Sequence, residues 1–407
     1  MASKNAFLFI FIVIVIDATG LGIIIPSLPS LVAETAHVSL EESTSYYGLI
    51  LGAYAFMQFI FSPIVGGLSD RYGRRPVLLL AMFGLGLDYV FMYFAPTLVW
   101  IVVGRCISGA LGASYTTATA YIADISTAEN KARNFGMVGA AFGIGFVIGP
   151  AIGGLLGDFD IRAPFLAAAI LSFMNLVYGY FVLNESLALE NRRPFNLLRS
   201  NFAGALVQIV SYKSLAWLFV VVFLYYLSGM AIQTSWVYYT QEKFAWSKFD
   251  VGLSLALVGV CIAGVQGGLS GYFAKRFGEV KTTYISLIIF AVTVVAIGSA
   301  VEAWMLYALM VPYAFTGLAG PAIQTIMSNS TADNAQGELQ GSLTSIMSIA
   351  EIIGPLIMMQ VYASTTLGLA QEDKVFGSPY FLSGVIVLLA IAFFSVALRK
   401  VKNAKVR

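Results

Sequence analysis

The chain has 407 residues, of which 59% are hydrophobic and only 11% charged, a balance that excludes an ordinary water-soluble domain and places the protein in lipid. Its net charge of +2 gives no reason to expect a nucleic-acid partner or a strongly charged docking surface. Cys106 and Cys261 offer no metal or redox spacing, and the absence of a His cluster or a Ser/His pair argues against an enzyme.

Apolar windows of about 20 residues, enough for a helix to cross roughly 30 Å of hydrocarbon, recur along the whole sequence. They predict twelve spans, at 6–27, 45–65, 76–94, 98–122, 135–156, 163–182, 214–236, 250–271, 282–300, 303–326, 338–361 and 377–398. With a cytoplasmic N-terminus, 18 of the 23 Lys and Arg fall on the cytoplasmic side, so the positive-inside rule puts both termini there. The first apolar run is too long for a cleaved signal core and reads as a retained helix.

Span 1 carries Asp17 near its middle, where a charge costs several kcal/mol unless it is paired, hydrated or neutralised. It is either a structural partner or a titrating carboxylate facing water. His37, the only histidine, falls in the first external loop, which leaves proton chemistry to carboxylates. The loop Gly66-Gly67-Leu68-Ser69-Asp70-Arg71-Tyr72-Gly73-Arg74-Arg75-Pro76 sets an acid among three arginines in a glycine-bounded turn. Charge anchoring explains the arginines; a cluster that pairs with helix ends in one conformation and releases them in another also explains Asp70.

Asp88 is a second intramembrane acid, in span 3. In span 4, Arg105, Gly109, Gly112, Thr116 and Thr119 form a small and polar face that either packs closely on a helix or lines water, with a carboxylate such as Asp17 as a partner for the arginine. Span 5 reads Gly139-x-x-x-Gly143-x-Gly145-x-x-x-Gly149-Pro150-x-x-Gly153-Gly154, a spacing that lets helices touch backbone to backbone and provides a seal that small shifts can open. Glu351 in span 11 is the last intramembrane acid.

The polar stretch 184–213 divides the chain into six spans and six spans, giving bundles 1–183 and 214–407 joined by a cytoplasmic linker. Internal similarity supports that division. Gly66 to Gly73 recurs as Gly271 to Gly278, and Gly149-Pro150 as Gly354-Pro355, both at an offset of 205. Two parallel six-span repeats suit alternating access around a site near the membrane midplane.

These motifs resemble those of the major facilitator superfamily, in particular its twelve-helix tetracycline/proton antiporter group. Asp17-Ala18-Thr19-Gly20-Leu21-Gly22 is similar to that group's first helix, Gly66 to Pro76 to the superfamily's signature loop, Arg105-x-x-x-Gly109 to the helix 4 proton-coupling motif, and Gly145 to Gly154 to the helix 5 antiporter signature. Tyr121 to Ile125, Arg162 to Phe165, Gly320 to Gln324 and Gln336 to Ser342 extend the likeness over nearly the full chain.

The resemblance implies an all-α major facilitator fold and proton-coupled export of small amphiphilic molecules across a plasma membrane, the inner membrane in a bacterium. It implies no cofactor and a functional monomer, driven by the proton gradient. Proton coupling would fall to Asp17, Arg105, Asp88 and Glu351, and gating to Gly66, Asp70, Arg71, Gly73, Arg74, Arg75, Gly145, Gly149, Pro150, Gly153 and Gly154. Tyr54 and Gln58, which match the group's pattern, join Gly112, Thr116, Tyr225, Tyr226, Gln233, Trp236 and Gln324 as cavity residues.

Two positions depart from the group. Ile262 stands where it has a helix 8 histidine and Phe290 where it has a helix 9 aspartate, so substrate or coupling stoichiometry is expected to differ. The alternatives are transport of a sugar or organic anion on the same fold and a non-transporting membrane scaffold.

Overall fold

A computed structural model describes the backbone of residues 2–111, 114–126, 131–192, 215–331 and 336–405, and the side chains of 8–111, 117–126, 138–190, 192, 215–331 and 339–399. Among these residues all regular structure is helical. Span 1 is Ala2–Ile23 followed, after a 49° bend, by Leu28–Ala36, because Pro26 lies in the bend and Pro29 suits only the first turn of a new helix. Thr44–Tyr72, Arg74–Phe94, Lys131–Phe159 and Ala163–Val182 form spans 2, 3, 5 and 6, and Leu98–Leu111 with Ser114–Ile125 forms span 4. Span 7 is Ala216–Phe244, spans 11 and 12 are Gln336–Thr366 and Ser378–Lys405, and span 10 is Ala303–Ala314 and Ala319–Ser328 around a 3-10 turn at Phe315–Leu318.

Spans 8 and 9 share one helical stretch, Lys248–Gly264, a π-turn Val265–Leu269 and Ser270–Gly298, interrupted at Gly278. Among the described residues nine helices, or ten with the bent pair, are long and apolar enough to cross a membrane. One of them, Lys248–Gly298, holds two predicted spans, and the two helices of span 4 lie outside that count, so every predicted span has its helix. Several helices overrun their apolar windows: Thr44–Tyr72 continues past residue 65 to the edge of the arginine-rich loop. Hydropathy marks what lies in lipid, while helix ends follow capping and glycine.

The internal repeat is visible in the backbone. Gly73 has φ +107° and Gly278 φ +72°, so each loop of the repeat turns at a left-handed position that favours glycine.

Two compact units are distinguished. The first gathers Met1–Ser43, Ala53–Asn201 and Trp246–Gly259, and the second Thr44–Gly52, Phe202–Ala245 and Val260–Arg407. Within the first, Ile10, Val13, Ile14, Leu78, Met82, Tyr121 and Ile122 make a buried cluster drawn from spans 1, 3 and 4. Lipid tails are as apolar as these side chains, so close packing rather than escape from water holds them. Outward-facing residues such as Phe94, Val177, Val292 and Leu388 are more than half exposed, a surface suited to hydrocarbon and unsuited to water.

Span 5 seats span 1 by backbone contact. A Cβ on Gly149 would lie 2.6 Å from Thr19 O and 2.8 Å from Gly22 Cα, and one on Gly145 would meet Ala18 and Thr19. Gly153 faces Ile23 in the same way, so the predicted glycine spacing is a helix–helix contact that fixes the residues next to Asp17. Gly139 and Gly143, at the same spacing, look onto open space.

Candidate functional site

Spans 1, 3, 4 and 6 supply buried polar groups to the first unit. Asp17 is 6% exposed; Asn175 of span 6, fully buried, donates through Nδ2 to Asp17 Oδ1 at 3.0 Å and to Val13 O at 3.1 Å. The amide thereby ties the carboxylate to the backbone one turn before it. Tyr89 of span 3 is also fully buried, and its ring and hydroxyl lie 3.6 Å from where a Cβ on Gly20 would be, which leaves that glycine as the space between spans 1 and 3.

Arg105 pairs with Asp88: its Nε donates to Oδ1 at 3.2 Å and its Nη2 to Oδ2. Sequence reasoning offered Asp17 as an example of a partner; the structure supplies a carboxylate from span 3, the antiparallel neighbour of span 4. Gly104 makes room, since a Cβ there would lie 2.8 Å from Asp88 Oδ1. The guanidinium lies 5.3 Å from the ring centroid of half-buried Tyr54, a cation–π contact that covers its other face. Desolvating such a pair costs several kcal/mol per ion, which only good geometry and the hydrogen bonds offset. Asp88 and Arg105 thus neutralise one another.

Gln58 is half-buried beside this centre, and its backbone N lies 3.3 Å from the Cβ position of Gly109, where spans 2 and 4 touch. Gly112 and the Thr116 side chain lie outside the described residues.

Where spans 2, 3, 4 and 6 end together, Arg74 is the hub of the arginine-rich loop. Its guanidinium reaches Asp70 at 2.5 Å, Asp124 at the end of span 4 at 3.1 Å, and Ser69 Oγ at 2.6 Å. Glu185, just after span 6, accepts from Arg74 N at 2.8 Å and Arg75 N at 3.3 Å. The carboxylate therefore caps the first turn of span 3, where unsatisfied N–H groups and the helix dipole favour an anion. Arg75 donates to Tyr180 O, and exposed Arg71 covers the Tyr72 ring at 5.0 Å. Gly66 leaves open space. Asp70 and Arg74 thus lie against the end of span 4, and Arg75 against that of span 6.

In the second unit, Tyr225 and Tyr226 are half-buried and mutually edge-on, and Phe290 is buried with its ring 5.9 Å from that of Tyr225 and 6.1 Å from that of Tyr313. Gln233 is exposed, Trp236 buried against Tyr239, and exposed Gln324 donates to Gln340 Oε1 at 2.6 Å. Glu351 is half-buried in span 11. Ile262 packs at the edge of an apolar cluster around Val265, Ala314 and Leu318.

Sequence reasoning missed Asn175, Tyr89 and Glu185. Asn175 was detectable as the one carboxamide in a predominantly apolar span, and Glu185 as an acid placed where span 6 ends. Neither signal names a partner.

The family model of the Major Facilitator Superfamily matches residues 10–297 and 218–407. The chain is 40% identical to the class C tetracycline resistance protein of Escherichia coli over 91% of this chain and 93% of that one. It is 38% identical to the class H tetracycline resistance protein of Pasteurella multocida over 88% and 90%. Among solved structures, the nucleoside transporter NupG superimposes with a TM-score of 0.79 at 12% identity, covering 96% of this chain and 98% of that one, a likeness of fold. Full-length family matching, relatives near 40% identity and an all-helical fold shared with solved transporters make the chain an integral membrane member of the Major Facilitator Superfamily and a transporter rather than an enzyme.

Proposed function

We propose that this protein is a proton-coupled antiporter that exports small amphiphilic organic molecules, tetracycline-like drugs among them, from the cytoplasm by alternating access. The observation that carries the reading is Asp17, a buried carboxylate held by the neutral Asn175 amide beside the glycine contact of spans 1 and 5. A proton taken up there changes the charge of a site whose walls are backbone-close, so protonation alters what the helix contact must accommodate. The tetracycline resistance proteins similar to this chain support a drug as the cargo.

In this reading the halves 1–183 and 214–407 rock about the linker 184–213, with Asp70 and Arg74 holding one end state. Ile262 and Phe290 leave those two positions of the second half without the polar groups of the resembled group, so tetracycline is expected to move poorly or with altered proton coupling. The test is uptake of tetracycline into inverted membrane vesicles on an imposed proton gradient. Accumulation that collapses with the gradient supports export; movement of a sugar or organic anion in its place would favour the metabolite reading.

A further inference from the structure

Span 10 does not cross as one regular helix. Its 3-10 turn, Phe315–Leu318, meets the π-turn Val265–Leu269 of span 8: Ala314, Leu318 and Val265 share a buried cluster with Phe315 and Ile262 packed against it. A break from α geometry leaves carbonyls without their usual donors, and inside a membrane irregular backbone is tolerated only where protein or water satisfies it. Side chains from three spans do so. Tyr225 Oη donates to Thr316 O at 3.1 Å, Ser286 Oγ lies 2.9 Å from both Phe315 O and Thr316 O, and Gln266 Nε2 donates to Gly317 O at 3.3 Å.

The last of these bonds differs from the others. Ser286 is fully buried and Tyr225 half-buried, whereas Gln266 is exposed, together with its neighbours Gly267 and Gly268. Gly267 and Gly268 have open space around their Cβ positions. A carboxamide exposed within a span does not face hydrocarbon, so this surface faces water. Its bond to Gly317 is also the longest of the set and therefore the one most easily exchanged.

We infer that Gln266 and the Gly317 carbonyl form a substrate-contact site of the second half for a neutral donor–acceptor edge, a carboxamide or a hydroxyl beside a carbonyl. The inference rests on the export reading above and names the chemistry that the second half recognises. The incoming edge donates to Gly317 O and accepts from Gln266 Nε2, replacing one long internal bond by two. Among the described residues no ionised side chain takes part in the bonds around this turn, and Ile262 supplies an apolar floor, so recognition is by hydrogen bonding. Tyr225 and Ser286 keep the remaining carbonyls occupied while Gln266 swings away, and span 10 stays folded.

The experiment measures initial tetracycline uptake into energised inverted vesicles for the parent, Gln266→Ala and Gln266→Glu, with melting temperatures of the purified proteins. Gln266→Ala is expected to raise KM about tenfold, the scale of lost hydrogen bonds, with kcat within about twofold and an unchanged melting temperature. Gln266→Glu, which keeps the shape and loses the donor, should follow it. In a Cys106→Ser, Cys261→Ser background, Gln266→Cys should react with a water-soluble maleimide and be slowed by tetracycline. An unchanged KM with a lowered melting temperature makes Gln266 a brace for span 10 and overturns the inference, as does labelling that tetracycline leaves untouched. A parent that accumulates no tetracycline on the imposed gradient removes tetracycline as the cargo and the inference with it. A parent that accumulates it regardless of Gln266 removes the inference alone.

Discussion

Asp17 and Asp88 are both carboxylates in the middle of apolar helices, yet their surroundings ask different things of them. Asp88 is locked to Arg105, so Asp88→Asn leaves a buried guanidinium without its counter-charge and should cost about 3–5 kcal/mol. A thermal-shift measurement checks this, and Asp88→Asn combined with Arg105→Gln should recover most of the loss. Asp17→Asn keeps the shape next to Asn175 and should leave the melting temperature within a few degrees while abolishing proton-driven accumulation in vesicles. Accumulation equal to the parent's would remove Asp17 from the coupling. The charges were legible in the sequence because an ionised group in an apolar run has no other explanation. Their pairing was not: hydropathy gives the depth of Arg105 but not which of its neighbours carries the opposing carboxylate, and a neutral group such as Asn175 stands out less.

Span 5 shows what helical spacing leaves open. The pattern Gly139, Gly143, Gly145, Gly149, Gly153 is continuous in the sequence, but only the latter three touch span 1, because Gly139 and Gly143 look onto open space. Gly149→Val should therefore destabilise by about 1–3 kcal/mol through overpacking, whereas Gly143→Ala should leave stability unchanged or raise it slightly. Thermal unfolding in detergent distinguishes the two. In span 11, Glu351 is half-buried and its counterpart in the repeat is Phe146, so the repeat itself does not require an acid there. Glu351→Gln is expected to preserve stability and to displace the pH profile of vesicle transport; a profile matching the parent's would make the residue structural. The breaks in spans 8 and 10 were hidden from hydropathy, which reads α, 3-10 and π turns of the same composition alike.

Over the whole chain, twelve spans and a duplicated six-span unit could be read from composition and from the offset of 205, and the positive φ of Gly73 and Gly278 repeats at that same offset. Arg71 recurs as Arg276, but the other charges around those turns do not: Asp70 corresponds to Lys275, and Arg74 to Glu279. The network of Arg74 with Asp70 and Asp124 is therefore particular to the first half, and Asp70→Asn should slow turnover several-fold with little change in substrate affinity, since it loosens a helix-end contact remote from Asp17. Separate measurement of tetracycline binding and transport rate decides this.

Glu185 has a consequence for dividing the protein in two. Its carboxylate caps span 3, so a residue just past the last helix of the first half belongs to the folding of that half. If the coding sequence is cut so that residues 1–192 and 193–407 are made as separate polypeptides, the first fragment keeps its cap and Arg192 beside it. A cut after residue 183 hands Glu185 to the other polypeptide. Co-expression of the first pair should yield more membrane-inserted, protease-resistant N-terminal fragment than co-expression of the second.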